Sequence, residues 1–342
     1  MNAYDYFFLL LRSGLNGADL SPAEADAVAR LSPKQWDMLI HLAGRQTVTG
    51  LLYTAVERLP ADAGLHPDIV LSLMSRAVSI EKESQRKAAL TEQLVGRLKA
   101  EGLAPVVMKG IAVAAFYDHP LRRTSGDIDI YLPSGQTEAA FSLLPGQHAA
   151  PDGSRHAAID GVDIDIHERY YDLHVAQQRL PRPGTPEATL LMLSTHILKH
   201  AIGPGVGLRQ LCDLAMAWRA LASKIDPGIL LKAQRRAGIR RWDRLVASFL
   251  ARELGQPRML EALFPGAGPC STEPLRRIVL EGGNFGHFAA SRTKALTQSE
   301  KQRKRDTLAR FLRRLPFSLH YAPREVLSTM LGLMRGNLHI IE

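Results

Sequence analysis

The sequence predicts an α+β fold: a small α/β unit carrying a short sheet, held between helical N- and C-terminal regions. Three observations predict it. Residues 1–100 contain two capping-box signatures, one followed by apolar residues at clear helical spacing. From Gly102 the pattern changes to short apolar runs broken by Gly, Pro and an Asp-Gly pair, which marks strands and tight turns. From Thr185 helical patterning returns and continues through Leu254. These shifts divide the 342 residues into a helical region at 1–100, an α/β core at 101–184 and a second helical region at 185–342.

Ser21-Pro22-Ala23-Glu24 and Ser32-Pro33-Lys34-Gln35 each place Ser at the N-cap, Pro at the first helical position and Glu or Gln two further on. That arrangement satisfies two orphan N–H groups reciprocally and starts a helix. Trp36, Leu39, Ile40 and Ala43 then share one helical face. A longer helix is predicted from about Pro67 to Lys99, uninterrupted by Gly or Pro until Gly96 and strongly charged from Glu81 to Lys87. Leu103 to Met108 reads as a buried strand, with Pro105 near its start. Lys109-Gly110 ends it, Ile111 to Tyr117 reads as a short helix, and Asp118-His119-Pro120 breaks that helix. The basic turn Leu121 to Gly126 leads into a strand from Asp127 to Leu132, followed by a helix near Gly135 to Leu144. Segments Arg155 to Asp160 and Val162 to His167 form a hairpin about Asp160-Gly161. Glu187 to Ala201 and Leu208 to Leu221 are helices separated by Gly203-Pro204-Gly205, and Gly255 is placed to end a later one. Pro265 to Pro274 and Glu281 to His287 read as loops, and a final helix is expected from about Arg324 to Arg335.

An apolar fraction of 46% and a charged fraction of 23% are those of an ordinary globular chain. No apolar run is long enough to span a bilayer, and Phe7 to Leu11 lacks the flanks of a signal peptide. The two cysteines, Cys212 and Cys270, imply no disulfide framework, so the expected location is cytoplasmic. The net charge of +9 is concentrated between Arg292 and Arg314, where nine basic residues face Glu300 and Asp306. Such a run attracts phosphates, whether of nucleotide, nucleic acid or lipid, or is simply a solvated helix face or connector.

The chemistry centres on Gly126-Asp127-Ile128-Asp129-Ile130. In a strand Asp127 and Asp129 point to one face and the isoleucines to the other, with the aspartate Cα atoms about 7 Å apart. Two such carboxylates repel each other unless a cation lies between them, and Mg²⁺ favours a few carboxylates together with substrate phosphates. Upstream, Lys109-Gly110 occupies a strand-to-helix turn suited to phosphate oxygens. Downstream, Asp163, Asp165 and His167 share a strand face, so a third carboxylate can reach the same ions. Three carboxylates on two strands beside a phosphate-binding turn match the two-metal arrangement for in-line phosphoryl displacement.

Val107-Met108-Lys109-Gly110, then Tyr117, Pro120 and Arg123, then the Asp127–Asp129 strand, resemble a bacterial family of uncharacterised nucleotidyltransferases in the polymerase-β-like superfamily. The likeness extends to Ile164-Asp165-Ile166-His167, to His196-Ile197-Leu198-Lys199-His200, to the helix containing Asp213, and to Gly282 through His287. It implies a small mixed-sheet nucleotidyltransferase core, an NTP substrate and Mg²⁺ (or Mn²⁺), with Asp127, Asp129 and Asp165 as metal ligands and catalytic groups. Asp163 replaces Asp165 if the register slips. Lys109, Gly110, Arg123 and Gly126 are the candidate nucleotide-binding residues. The wider superfamily has Gly-Ser or Gly-Gly after its first strand, whereas this chain has Lys109-Gly110. The expected reaction moves an NMP from an NTP to an acceptor that the sequence leaves open: a small molecule, a peptide or protein, or an RNA end. Two alternatives remain beside it: a non-catalytic nucleotide-binding regulatory module, and an RNA-directed, toxin-like transferase using the basic segment 292–314.

Lys109 neutralises a phosphate or is a surface lysine; Arg123 contacts a triphosphate, braces the aspartates or is solvated. His167 orients Asp165, contacts substrate or caps a strand end. His196 and His200 share a helix face, but the residue after the first is Ile197 and not the Glu of a zinc protease helix. Packing or a nucleotide contact is the expectation for them, with Asp213 a candidate partner. The glycine-rich loop ending at His287 either closes over substrate or simply turns. Cys212 and Cys270 are expected to be inert.

Overall fold

A computed structural model describes the backbone of residues 1–60, 63–145, 148–149, 155–175, 177–203, 205–282 and 300–334, and their side chains except at 148–149, 155, 282, 300–308, 310 and 332–334. The chain forms two compact units, Met1–Tyr170 and Tyr171–Glu342.

The first unit opens with α1 (Ala3–Asn16), α2 (Pro22–Ala29), α3 (Pro33–Arg45), α4 (Thr49–Glu57) and the long α5 (Pro67–Ala100). Both predicted capping boxes are present: Ser21 caps α2 through Glu24, and Ser32 caps α3 through Gln35. A third, Asn2 with Asp5, starts α1. Phe7 to Leu11 are all buried, so this apolar run of α1 belongs to the core. Helices α1 and α4 touch closely because Gly14 has no Cβ; one built there would lie 2.0 Å from the Leu51 carbonyl oxygen.

After α5 come β1 (Val106–Val107), the single-turn helix α6 (Ile111–Ala114), β2 (Ile128–Tyr131), α7 (Thr137–Ser142), β3 (His148–Ala149), β4 (Arg155–Ile159) and β5 (Val162–His167). They form a five-stranded sheet in the order β1-β2-β5-β4-β3. Only β2 and β5 run parallel, so the sheet is mixed. The run Leu103–Met108 pairs over two residues only, as an edge strand whose start carries a proline without an N–H. The helix expected at Ile111–Tyr117 is a single turn. Asp160 (φ 51°) and Gly161 (φ 75°) are both left-handed and make the two-residue hairpin turn that an Asp-Gly pair favours.

One sheet face is apolar. Ile128, Ile130, Ala157, Val162 and Ile164 pack with Leu94 and Leu98 of α5 and with Ala140 of α7. Burying a Leu or Ile side chain contributes about 1.5–3 kcal/mol, so this face fixes the register of all three central strands. The polar residues of β2, β4 and β5 are thereby committed to the opposite face.

The second unit contains α8 (Pro186–Ile202), α9 (Leu208–Leu221), α10 (Pro227–Ala237), α11 (Arg240–Glu253), α12 (Arg258–Leu263), α13 (Glu273–Gly282), α14 (Glu300–Tyr321) and α15 (Pro323–Met334). Thr185 caps α8 by accepting from Ala188 N, and Gly255, at φ 68°, follows the end of α11. Pro274 belongs to the first turn of α13 rather than to the preceding loop, as proline suits that position. Residues 292–299 of the basic run lie outside the described residues, and the run continues as the start of α14. No helix among the described residues is long and apolar enough to cross a membrane.

Candidate metal centre

The parallel pairing of β2 with β5 sets Asp129 directly beside Asp165, and Tyr131 beside His167. Directly paired residues have side chains on the same face, so the two carboxylates face the same side as His167, two positions beyond Asp165. One ligand atom each from Asp129, Asp165 and His167 lie within 4.8 Å of one another. Asp127 precedes the first paired residue of β2 and lies outside that converging group.

Asp129 anchors the cluster. It is 4% exposed, and its Oδ1 accepts from Lys109 Nζ and from His167 Nε2, both at 2.8 Å. Burial alone would raise its carboxyl, but Lys109 and His167 overcome that and hold it well below the usual carboxylate range. Asp127 shifts the other way: desolvation and the neighbouring Asp129 charge raise it, Lys109 opposes them, and Asp165 adds to the rise. The hydrogen-bond partner of His167 is Asp129. Asp165 has a different histidine: His156 of β4, paired directly opposite it, donates from Nδ1 to Asp165 Oδ1 at 2.6 Å. The sequence reading missed His156, although the two-residue turn at Asp160-Gly161 was enough to find it. Counting back from that turn pairs Ile159 with Val162 and His156 with Asp165. Asp163 pairs with Ala158 and is exposed, one step further from Asp129 along the strand.

The remaining candidates frame the site. Gly110 holds φ 58°, where a Cβ would lie 3.3 Å from the Asp127 carbonyl oxygen, so glycine lets this turn approach β2. The helix that follows is one turn long, and what the turn presents to the cluster is the Lys109 side chain. Arg123 is 6% exposed; its Nη1 donates to Thr124 O and its carbonyl accepts from Ser84 Oγ of α5. It is thus packed into the protein and not a solvated loop residue. Its neighbour Arg122 pairs with Glu57 and Glu81 and stacks on Tyr53, tying the basic turn to α4 and α5. The Gly126 carbonyl accepts from Lys87 Nζ at 2.7 Å, so α5 also holds the segment that leads into Asp127.

In the second unit His196 Nδ1 donates to Asp172 at 3.0 Å, and the His196 and His200 rings meet edge-on at 4.4 Å. Among the described residues, Asp129, Asp165 and His167 are the one group of at least three metal-ligating side chains that converges, so the histidine pair of α8 builds no such site. Arg314 is engaged at the end of α8, donating to the Ala201 and Gly203 carbonyls. Cys212 is buried, which together with the adjacent Asp213 raises its thiol well above the ordinary range and leaves it unreactive. Residues 283–287 of the glycine-rich loop, with His287, lie outside the described residues.

The donor set fits a divalent cation. Two carboxylates and an imidazole converge, and an ammonium already neutralises one of them. A family model described as an uncharacterised nucleotidyltransferase matches the chain over residues 32–185 and 153–255, more than half of its length. No curated protein and no solved structure matches it.

Proposed function

The chain belongs to the uncharacterised nucleotidyltransferase family, and from that premise we propose that it is a metal-dependent enzyme transferring an NMP from an NTP to an acceptor hydroxyl or phosphate. In this reading the acceptor oxygen bonds to the α-phosphorus and the bond to pyrophosphate breaks. Asp127, Asp129 and Asp165 hold Mg²⁺ or Mn²⁺, and Lys109, Gly110, Arg123 and Gly126 form the nucleotide-binding surround. The observation that carries the reading is the side-by-side register of Asp129 and Asp165 on the polar face of the sheet. A bound divalent ion would supply charge neutralisation at the phosphates. Asp165, the more open of the two at 22% side-chain exposure against 5%, takes the proton of the acceptor hydroxyl. His156 holds its carboxylate in one rotation. Lys109, leaving the turn that abuts β2 with its ammonium on Asp129, is the cation that would meet a phosphate oxygen. Two free cysteines support a reducing compartment, and the cytoplasm is the location that we propose.

Incubation with each α-labelled NTP, Mg²⁺ or Mn²⁺ and cell extract tests this, comparing wild type with Asp129→Ala and Asp165→Ala. A labelled acceptor formed by wild type alone would identify both base preference and acceptor class. Absence of any metal-dependent NTP binding by the wild-type protein would overturn the reading.

A further inference from the structure

We infer that the His167 imidazole is a direct ligand of the cation held by Asp129 and Asp165, and that the site therefore discriminates towards Mn²⁺ and against Mg²⁺. The inference rests on the nucleotidyl-transfer reading for the presence of a divalent ion. It goes beyond that reading in the identity of one ligand and in the choice of metal.

Geometry supplies the first support. His167 Nε2 lies 2.8 Å from Asp129 Oδ1. Adjacent ligands of an octahedral ion, each about 2.1 Å from it, are separated by about 3.0 Å. An ion can seat against this nitrogen–oxygen edge with little movement of either group once the Nε2 proton that now bridges them has left and Nδ1 carries the ring's remaining proton. Asp165 completes a triangle whose ligand atoms lie within 4.8 Å of one another, whereas Asp127 does not belong to it. The donor that converges with the two paired carboxylates is thus a nitrogen, on the same strand as one of them and two positions away.

Charge supplies the second. Lys109 places an ammonium on Asp129 Oδ1, the oxygen that His167 also contacts. This carboxylate, almost closed to solvent, is thus already arranged to hold positive charge. The opposite side of the cluster is more open, with Asp165 and His167 side chains 22% and 32% exposed, which gives an ion and its waters a route in.

Chemistry decides the metal. Mg²⁺ sites are built from oxygen, and Mg²⁺ gives up water reluctantly, so a nitrogen donor adds little to its binding. Imidazole favours the transition ions, and carboxylates admit Mn²⁺, so one imidazole with two carboxylates tilts the site towards Mn²⁺ and the ions above it in affinity.

Pulsed EPR of the full-length protein loaded with Mn²⁺ alone tests this without reference to turnover. The wild type should show nitrogen modulation from a coordinated imidazole, and labelling the histidines with the heavy nitrogen isotope should convert that signal. This second observation needs no variant and stands even if a substitution impairs folding. The modulation should vanish in His167→Gln and persist in His156→Gln. In a Mn²⁺/Mg²⁺ competition, His167→Asp should lower the preference for Mn²⁺ by at least about tenfold. Mn²⁺ bound through oxygen alone, or nitrogen modulation that survives His167→Gln, would overturn the inference while leaving the transferase reading in place. Mn²⁺ held through His167 in a protein that binds no NTP would uphold the inference and remove the transferase reading.

Discussion

Asp129 in the first unit and Asp243 in the second are 4% and 1% exposed, yet the protein treats them in opposite ways. Asp129 accepts from the Lys109 ammonium and from the His167 ring and stays charged far into acid. Asp243, on α11, is pushed up to about 7 by burial, which outweighs the Ser194 hydroxyl and the Arg240 charge that pull it down. One of its oxygens accepts from Ser194, and Oδ2 makes no hydrogen bond. Burial alone, then, does not mark a functional carboxylate. What separates the two is a cation in direct contact: Lys109 bonds the Asp129 carboxylate at 2.8 Å, whereas the Arg240 charge acts on Asp243 too weakly to offset its burial.

The largest effect that separates them is on catalysis. Asp129→Asn, which keeps shape and removes charge, should lower labelled-NMP transfer on the order of a thousandfold, whereas Asp243→Asn should leave it within about twofold. Comparable loss in both would end the distinction. Next is stability against pH. An acid raised in the folded state binds its proton more tightly there, so the Asp243 contribution weakens as pH rises from about 4 and its full cost is reached above about 7. Urea unfolding should show Asp243→Asn gaining on wild type between about pH 5 and about pH 8, by on the order of 2–3 kcal/mol. A difference that does not change with pH would show that Asp243 is not protonated in the native state.

Lys109→Met probes the other side. Asp129 is depressed in the folded state, so its stabilisation is present above about pH 4 and is lost as pH falls through the lower folded value. Removing Lys109 should raise that value, destabilise the protein by about 2 kcal/mol near neutrality and move acid unfolding to higher pH. The smallest effect expected is that of Ser194→Ala, which removes the hydroxyl shared by Asp243 and Trp242 Nε1. It should cost about 1–2 kcal/mol in thermal unfolding and leave NTP-dependent transfer unchanged.

Local signals made much of this legible. The boxes at Ser21 and Ser32, the helix Leu208–Leu221 and the Asp160-Gly161 turn are decided within a few residues, and the structure has them where the sequence put them. Alternation along Asp127–Ile130 and Val162–His167 made the polar face readable, because one wrong step would bury an aspartate among Leu94, Leu98 and Ile164. Less legible was whatever depends on distant packing. Arg123 looks like a loop arginine until α5 is laid across it. Asp243 looks like a surface residue in the first turn of a helix until Ser194 of α8 meets it. The run at Leu103–Met108 looks like a full strand, but its pairing ends after two residues. The partner of His167 was out of reach because adjacent parallel strands place the histidine within range of both aspartates, and side-chain rotation decides between them.

The two-residue turn at Asp160-Gly161 has a consequence for how such a site can diverge. Asp129 and Asp165 are matched through β2 and β5, a pairing in which the turn has no part, whereas His156 and Asp165 are matched by the length of the turn itself. Inserting one residue there would slide β4 by one place, setting Arg155 or Ala157 in line with Asp165 while the two aspartates kept their alignment. The hairpin is therefore a gauge separate from the paired aspartates: turn length sets which residue lies opposite Asp165, and the parallel seam beside it sets where the carboxylates meet.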